Sequence, residues 1–162
     1  MTCTVISTGE ELAYIYQNEE EQPVSGIKKR LFELLQGLIT EGCDSFYVNC
    51  DLGIPLWTAE MILAMRKLNP IQLHIVMPYE EQAANWSEYH RDRYFAVHEA
   101  ADTVEMVQAQ YSDKCAETAL CTMIDQSDLL IICGQMDDNS EILSYAKQQG
   151  VMVGLVSLMH NP

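Results

Sequence analysis

The chain has 162 residues, of which 48% are apolar and 20% are charged, so its size and composition predict one folded globular domain over residues 1–162. Nine Lys and Arg against 24 Asp and Glu give a formal net charge of −15, which argues against nucleic acids and anionic membranes as partners. No apolar run approaches the roughly 20 residues that span a bilayer, and the first residues lack a signal-peptide pattern, so we expect a cytoplasmic protein.

Strands and helices alternate along the chain, which predicts a three-layer, Rossmann-like α/β fold with a doubly wound, mostly parallel sheet of about five to six strands. We expect strands three, two and one to lie side by side, with strands four and five beyond strand one. The acidic stretch 19–21 is predicted to be an exposed loop. The predicted strands are Cys3–Ser7, Ser45–Cys50, Ile71–Met77, Thr103–Val107, Leu129–Cys133 and Val151–Val156. The predicted helices are Val24–Glu41, Ile54–Leu68, Trp86–Ala101, Asp113–Gln126 and a last one that begins with the capping-box spacing of Asp138 and Glu141 and ends at Gly150.

The most informative segment is VNCDLGIPLWTAE, from Val48 to Glu60, because it has the pattern of a strand, a tight turn and a helix. Gly53 permits a backbone turn that residues with a Cβ resist. In a parallel α/β sheet, ligands bind at turns of this kind, against the positive end of the following helix. The segment therefore predicts the place of a binding site without identifying the ligand.

The turns after strands one, two, three and five should gather on one edge of the sheet, because right-handed crossovers place successive strand ends together. We expect one crevice there, lined by Thr8, Gly9, Asp51, Gly53, Pro78, Asn139 and Ser140. The same edge carries acidic side chains, which solvate loops or cap helices and which oppose a bare phosphate unless a cation intervenes. These acids are Glu10, Glu11, Asp51, Glu80, Glu81, Asp137, Asp138 and Glu141.

No motif in the chain predicts a catalytic or metal centre. A Gly-rich P-loop, a GxSxG elbow and an HExxH motif are all missing, and the six cysteines lack zinc-ligand spacing. We therefore predict no catalytic residues and no metal ligands. His90 falls on an apolar helical stripe and is predicted to be a core residue. Arg91 and Arg93 either supply positive charge to a nucleotide or form ion pairs with Glu88 and Asp92 on the same helix.

An ordered set of landmarks along nearly the whole chain resembles the YpsA-like family of the SLOG superfamily, which also includes the Lonely Guy and DprA groups. The resemblance implies a Rossmann-like fold and a nucleotide or nucleotide-derived ligand, such as NAD or an ADP-ribose derivative. It also adds Trp57, Glu60 and Trp86 to the candidate ligand-binding residues. The landmarks include Thr8-Gly9, the block DLGIPLWTAE from Asp51 to Glu60, Pro78-Tyr79, Trp86, Arg93-Tyr94 and Tyr145-Ala146.

The departures from that family concentrate where its ligand would lie. After Thr-Gly the family usually has His-Arg, whereas this chain has Glu10 and Glu11. The family's Gly-Gly-Thr turn before the last helix is Asp138-Asn139-Ser140 here. Basic and glycine positions have become acidic or bulky, so the sequence predicts a divergent ligand site.

Three functions are compatible with these observations. The leading hypothesis is a non-catalytic protein that senses a nucleotide derivative or binds a partner, with an altered ancestral site and an unidentified cofactor. One alternative is a metal-assisted nucleotide hydrolase in which Asp51 or Glu60 acts as general base. The other is a scaffold that acts through protein contacts and has no small-molecule ligand. A homo-oligomer is compatible with all three.

Overall fold

Six strands form one sheet in the computed structural model, which describes residues 1–159. The strands are β1 (Thr2–Ser7), β2 (Ser45–Val48), β3 (Gln72–Met77), β4 (Thr103–Met106), β5 (Leu129–Cys133) and β6 (Met152–Val156). Their order across the sheet is β4-β3-β2-β1-β5-β6, and each neighbouring pair is parallel. The predicted parallel, Rossmann-like α/β fold is confirmed.

The α-helices are α1 (Val24–Thr40), α2 (Ile54–Met65), α3 (Glu88–Ala100), α4 (Cys115–Asp125) and α5 (Glu141–Gln148). They cover both faces of the sheet, with α1, α2 and α3 on one face and α4 and α5 on the other. A short 3-10 helix, Glu10–Tyr14, follows β1. Within residues 1–159, no helix combines the length and the apolar character needed to cross a bilayer.

The neighbouring strands β1 and β5 are buried on both faces, which explains the continuous apolar sequence of β5. Val5 and Ile131 lie in the core formed with α1, α2 and α3, whereas Ile6 and Ile132 lie in the core formed with α4 and α5. Strand order reverses between β1 and β5. Ligands of open α/β sheets bind at such a reversal, outside the carboxyl ends of the strands.

The prediction for β4 was wrong, because β4 lies beyond β3 at the outer edge of the sheet rather than beyond β1. The predicted neighbours β3, β2 and β1 and the place of β5 beyond β1 are confirmed. Asp102, just before β4, explains the difference through a two-sided contact with β3. Its carboxylate accepts the N–H of Leu73 at 2.8 Å, and its own N–H donates to the Leu73 carbonyl at 2.9 Å.

The helix boundaries also differ from the prediction by one to three residues, and the contacts at the end of α2 and the start of α5 explain two of these differences. α2 ends at Met65, where the Asn69 side chain donates to the Met65 carbonyl at 3.0 Å, and Leu68 beyond it is 91% exposed. The capping box at Asp138 does not form. Instead α5 follows Ser140 directly, and the loop before it is held by Asp137, whose side chain accepts the N–H of Asn139 at 2.9 Å.

Candidate functional site

The predicted binding residues share the carboxyl edge of the sheet. Thr8 and Gly9 directly follow β1, the 51–53 turn follows β2, Pro78 follows β3, and residues 139–140 end the connection from β5 to α5. Because all the paired strands are parallel, these turns lie at one edge, as predicted. Contact of a ligand with any of them stays a prediction.

The amino terminus of α2 is bound by a carboxylate of the chain itself. Glu11 is 1% exposed, and its Oε1 accepts the backbone N–H of Ile54 at 3.0 Å. The Ser7 hydroxyl lies 2.8 and 2.7 Å from the two carboxylate oxygens, so it donates to this group as well. This position favours an anion, because helix N-termini carry unpaired N–H groups and a positive partial charge. Glu11 therefore occupies the anion position at the N-terminus of α2.

Gly53 makes this contact possible. Its φ is 88° and its ψ is −135°, a conformation that L side chains rarely adopt. A Cβ at this position would also lie 2.5 Å from Oε1 of Glu11. The turn thus needs glycine both for its backbone and for the close approach of the buried carboxylate.

Glu10 makes a matching contact on the other side of β1. Its Oε1 accepts the backbone N–H of Gln135 at 3.0 Å, in the loop that follows β5. The neighbouring Thr8 packs so closely on Gly134 that a Cβ there would lie 1.8 Å from the Thr8 hydroxyl oxygen. The consecutive carboxylates of Glu10 and Glu11 therefore accept hydrogen bonds from backbone N–H groups that follow β5 and β2, the two neighbours of β1 in the sheet. The sequence identified both acids as departures from the family pattern, but it did not predict that their carboxylates bind backbone N–H groups at this edge of the sheet.

Asp51 is another exposed acid of this edge, and hydrogen bonds hold its side chain in place. The Gln82 amide donates to its Oδ1 at 2.6 Å and to the Asn49 carbonyl at 3.0 Å, and the Tyr94 hydroxyl donates to Gln82 at 3.1 Å. Desolvation by the surrounding protein raises the pKa of Asp51 above its usual value, and the Gln82 hydrogen bond opposes that rise. The preceding residue, Cys50, has a φ of 62°, so the backbone of this turn is strained.

Two of the three residues added by the family resemblance, Trp57 and Glu60, belong to a partly buried ion-pair cluster between α2, α3 and the 15–23 loop. Arg93, 14% exposed, lies 2.6 Å from Glu19 and 2.5 Å from Glu60. The Trp57 indole, 1% exposed, donates to Glu19 at 3.3 Å. Trp86, the third, packs its ring against Tyr94 with the centroids 5.2 Å apart.

Arg93 pairs with Glu19 and Glu60, so its ion pairs with Glu88 and Asp92, one of the two roles considered from the sequence, are not formed. In the acidic stretch that was predicted to be an exposed loop, Glu20 and Glu21 are exposed, whereas Glu19 is partly buried. Within residues 1–159, no group of three or more His, Cys, Asp or Glu side chains could hold a metal ion.

We expect Arg93→Met to lower the free energy of unfolding by about 3 kcal/mol, because it leaves two partly buried carboxylates without their shared cation. Arg91→Met is the matched control, since Arg91 lies on the same helix and forms no ion pair within residues 1–159. Urea unfolding at pH 7 measures both. Equal losses in the two variants would contradict a specific role for Arg93.

The same cluster predicts a pH dependence. Burial would raise the pKa of Glu19, but hydrogen bonds from Arg93 and Lys28 outweigh it and lower the pKa to about 2. A depressed carboxyl pKa stabilises the fold above the unfolded value, near 4.5, and that contribution is lost as the pH falls toward 2. We therefore expect Arg93→Met to flatten the stability profile between these pH values, measured by urea unfolding. A profile as steep as in the parent protein would contradict this assignment.

A family model and individual relatives agree on the proteins that this chain is similar to. The YpsA family model, described as the YspA SLOG family, matches residues 9–150. A UPF0398 protein of Halalkalibacterium halodurans is 31% identical over 112 residues, which are 67% of this chain and 59% of that protein. A UPF0398 protein of Staphylococcus saprophyticus is 32% identical over 109 residues, 66% of this chain and 58% of that protein. The chain thus spans less than two thirds of the length of these relatives.

Proposed function

From the premise that this chain belongs to the YpsA SLOG family, we propose that it is a non-catalytic sensing or interaction protein whose ancestral nucleotide site is closed by its own carboxylates. The observation that carries the proposal is the buried Glu11 carboxylate on the Ile54 N–H. The resemblance of the chain to the SLOG superfamily implies nucleotide binding as the ancestral function. The function itself is then exerted outside the phosphate position, through another ligand surface or a protein contact.

Electrostatics supports closure of the site. A phosphate that approached the α2 N-terminus would meet the Glu11 carboxylate in direct competition for the same N–H group. Two unit charges 4 Å apart interact by about 4 kcal/mol at the effective dielectric constant of a protein surface, which is enough to weaken a micromolar affinity about a thousandfold, to the millimolar range. Glu10 and the net charge of −15 add to this repulsion.

Asp51 favours a second candidate function, a metal-assisted nucleotide hydrolase. Its carboxylate is exposed at the edge, oriented by Gln82, and has a raised pKa, which are features of a general base. Glu60, the other acid considered for this role, is engaged by Arg93. In this second function, Asp51→Asn would abolish nucleotide turnover that depends on magnesium or manganese.

Calorimetric titration with ADP-ribose, NAD and AMP, with and without magnesium, tests the proposal. We expect no saturable binding to the parent protein and measurable binding to the double variant Glu10→Gln, Glu11→Gln, in which the repelling charges are gone. Glu80→Gln, Glu81→Gln is the control, because those two glutamates are exposed at the same edge. Metal-free micromolar binding to the parent protein would contradict closure of the site. Product formation from the same nucleotides would favour the hydrolase.

A further inference from the structure

The edge of the sheet formed by β6 is open, and we propose that it pairs with β6 of a second copy of this chain, antiparallel across a two-fold axis. β6 pairs with β5 on one side, and no strand of residues 1–159 lies on its other side. An open strand edge presents unpaired N–H and C=O groups, which another strand can bind. The backbone, the side chains and the charges of this edge all fit a second copy.

The backbone groups on the open side of β6 belong to Val153 and Leu155. The Met152 N–H donates to the carbonyl of the residue before β5 at 3.1 Å, and the Val156 carbonyl accepts the N–H of the residue after β5 at 2.9 Å. Alternate residues of a strand direct both backbone groups to the same side, so residues 152, 154 and 156 bond to β5. Residues 153 and 155 therefore direct their N–H and C=O groups away from it.

These groups match a second copy in one antiparallel register, which is centred on Gly154. In that register Val153 lies opposite Leu155 of the second copy, and Leu155 lies opposite Val153 of the second copy. Each of these pairs can exchange both of its N–H···O bonds. Gly154 lies opposite itself at the axis, at a position without hydrogen bonds where Cα atoms approach to about 4.5 Å. The same strand thus supplies both sides of the contact, as in a two-fold dimer.

The side chains of the edge are apolar and partly uncovered. Val153 is 38% exposed and Leu155 is 53% exposed. Their neighbours on β5 are Leu130 and Ile132, whose side chains lie in the core formed with α4 and α5, so both residues lie on that face of the sheet. Across the axis each Val153 packs against a Leu155, and this contact removes apolar surface from water.

The charge distribution favours this edge as the contact between copies. Two molecules that each carry a net charge of −15 repel each other over most of their surface. Residues 148–159, which include β6, contain no ionisable side chain. The opposite edge strand, β4, carries the exposed Glu105, and a charge on an edge strand opposes pairing with another chain. The chain therefore protects one edge of its sheet with a charge and leaves the other without one.

The pairing keeps the crevice of each copy open. Because the two copies of β6 run in opposite directions, the carboxyl edges of the two sheets face opposite ways. No predicted crevice residue belongs to β6, so this inference stands apart from the proposed function.

Sedimentation equilibrium of the full chain tests the association. We expect the average mass to rise from that of one chain toward twice that value between about 10 µM and about 1 mM, and at lower concentration when salt screens the repulsion. Leu155→Lys should raise the dissociation constant about tenfold or more, although it makes the net charge less negative. Val104→Lys is the matched control, because Val104 is 45% exposed on β4, and it should leave the constant unchanged. Circular dichroism checks that both variants remain folded.

A pair of opposite charges tests the register. Val153→Glu should weaken association as Leu155→Lys does, but an equimolar mixture of the two variants should form a heterodimer. In the proposed register the introduced glutamate lies opposite the introduced lysine, and opposite charges across an antiparallel pair attract.

Hydrogen exchange tests strand pairing in the parent protein, without any substitution. The amides of Val153 and Leu155 should exchange slowly at about 1 mM and quickly at about 10 µM, because only the second copy binds them. The Met152 amide, which is bonded next to β5, should be protected at both concentrations.

Several results would contradict strand pairing. One is the mass of a single chain up to about 1 mM protein in about 0.5 M sodium chloride. Another is an equal effect of Leu155→Lys and Val104→Lys, which would place the contact elsewhere. A mixture of Val153→Glu and Leu155→Lys that associates no better than either variant alone would exclude the register. Exchange at residues 153 and 155 that is independent of concentration would exclude β6 as the contact. Nucleotide binding at the crevice changes none of these results, since the residues involved are different.

Discussion

Glu11→Ala is expected to lower the free energy of unfolding by about 3 kcal/mol, and millimolar inorganic phosphate or sulfate is expected to restore part of the loss. The substitution removes the charged acceptor of the Ile54 N–H and of the Ser7 hydroxyl. Hydrogen bonds to charged groups contribute about 1.5–3 kcal/mol, and a buried donor left without a partner costs a further 1–3 kcal/mol. The emptied helix N-terminus is then an anion site, so an anion that binds the folded state stabilises it. Thermal and urea unfolding with and without phosphate measure both effects.

Controls separate the anion site from a general salt effect. Glu33→Ala removes an exposed glutamate from α1, and we expect little change in stability and no specific response to phosphate. Chloride at equal ionic strength should stabilise Glu11→Ala less than phosphate does. If phosphate stabilises the parent protein as strongly as the variant, the carboxylate does not occupy the anion position and closure of the site is wrong.

Gly53→Ala is expected to cost about 2–4 kcal/mol, because a Cβ meets both backbone strain and a buried carboxylate. The residue has a φ of 88°, and the added carbon would lie 2.5 Å from Oε1 of Glu11. The loss should shrink when Glu11 is also alanine, since only the backbone strain then remains. Such non-additivity is typical of residues in direct contact, and a double-mutant cycle by urea unfolding measures it.

Two other glycines provide the controls for this result. Gly150 has a φ of 72° but no neighbour within 4 Å of a Cβ, so Gly150→Ala reports strain alone, at about 1 kcal/mol. Gly37 lies inside α1 with open space around it, so Gly37→Ala should stabilise the protein by about 0.5–1 kcal/mol. If Gly53→Ala lowers the free energy of unfolding no more than Gly150→Ala does, the Glu11 carboxylate moves away from the added Cβ without a loss of stability.

The architecture was predictable because it rests on local patterns. Continuous apolar runs such as Leu129–Cys133 identified buried strands, and alternation with helices identified a parallel sheet. From these followed the shared edge of Gly9, Gly53 and Asn139. The place of β4 was not predictable in this way, because it depends on hydrogen bonds between Asp102 and Leu73, 29 residues apart.

The contacts within the candidate site could not be predicted in the same way, because they join residues that are far apart in the sequence. Glu11 and Ile54 are 43 residues apart, and Arg93 and Glu19 are 74 apart. Patterns within one helix therefore suggested the wrong partners for Arg93. One signal could have identified the role of Glu11: an acid replaces the family's basic position while the glycine of the facing turn is kept.

The outer position of β4 has a consequence for the order in which the molecule opens. All four of its residues are exposed, and the structure shows no strand beyond it within residues 1–159, whereas β1 and β5 are buried between two strands each. Elements with few buried contacts open with low free energy while the rest of a domain remains folded. Backbone amides of β4 should therefore exchange with solvent deuterium early, and those of β1 and β5 only when the whole sheet unfolds. The turns around Glu11 and Gly53 are thereby anchored to the slowest-exchanging part of the protein.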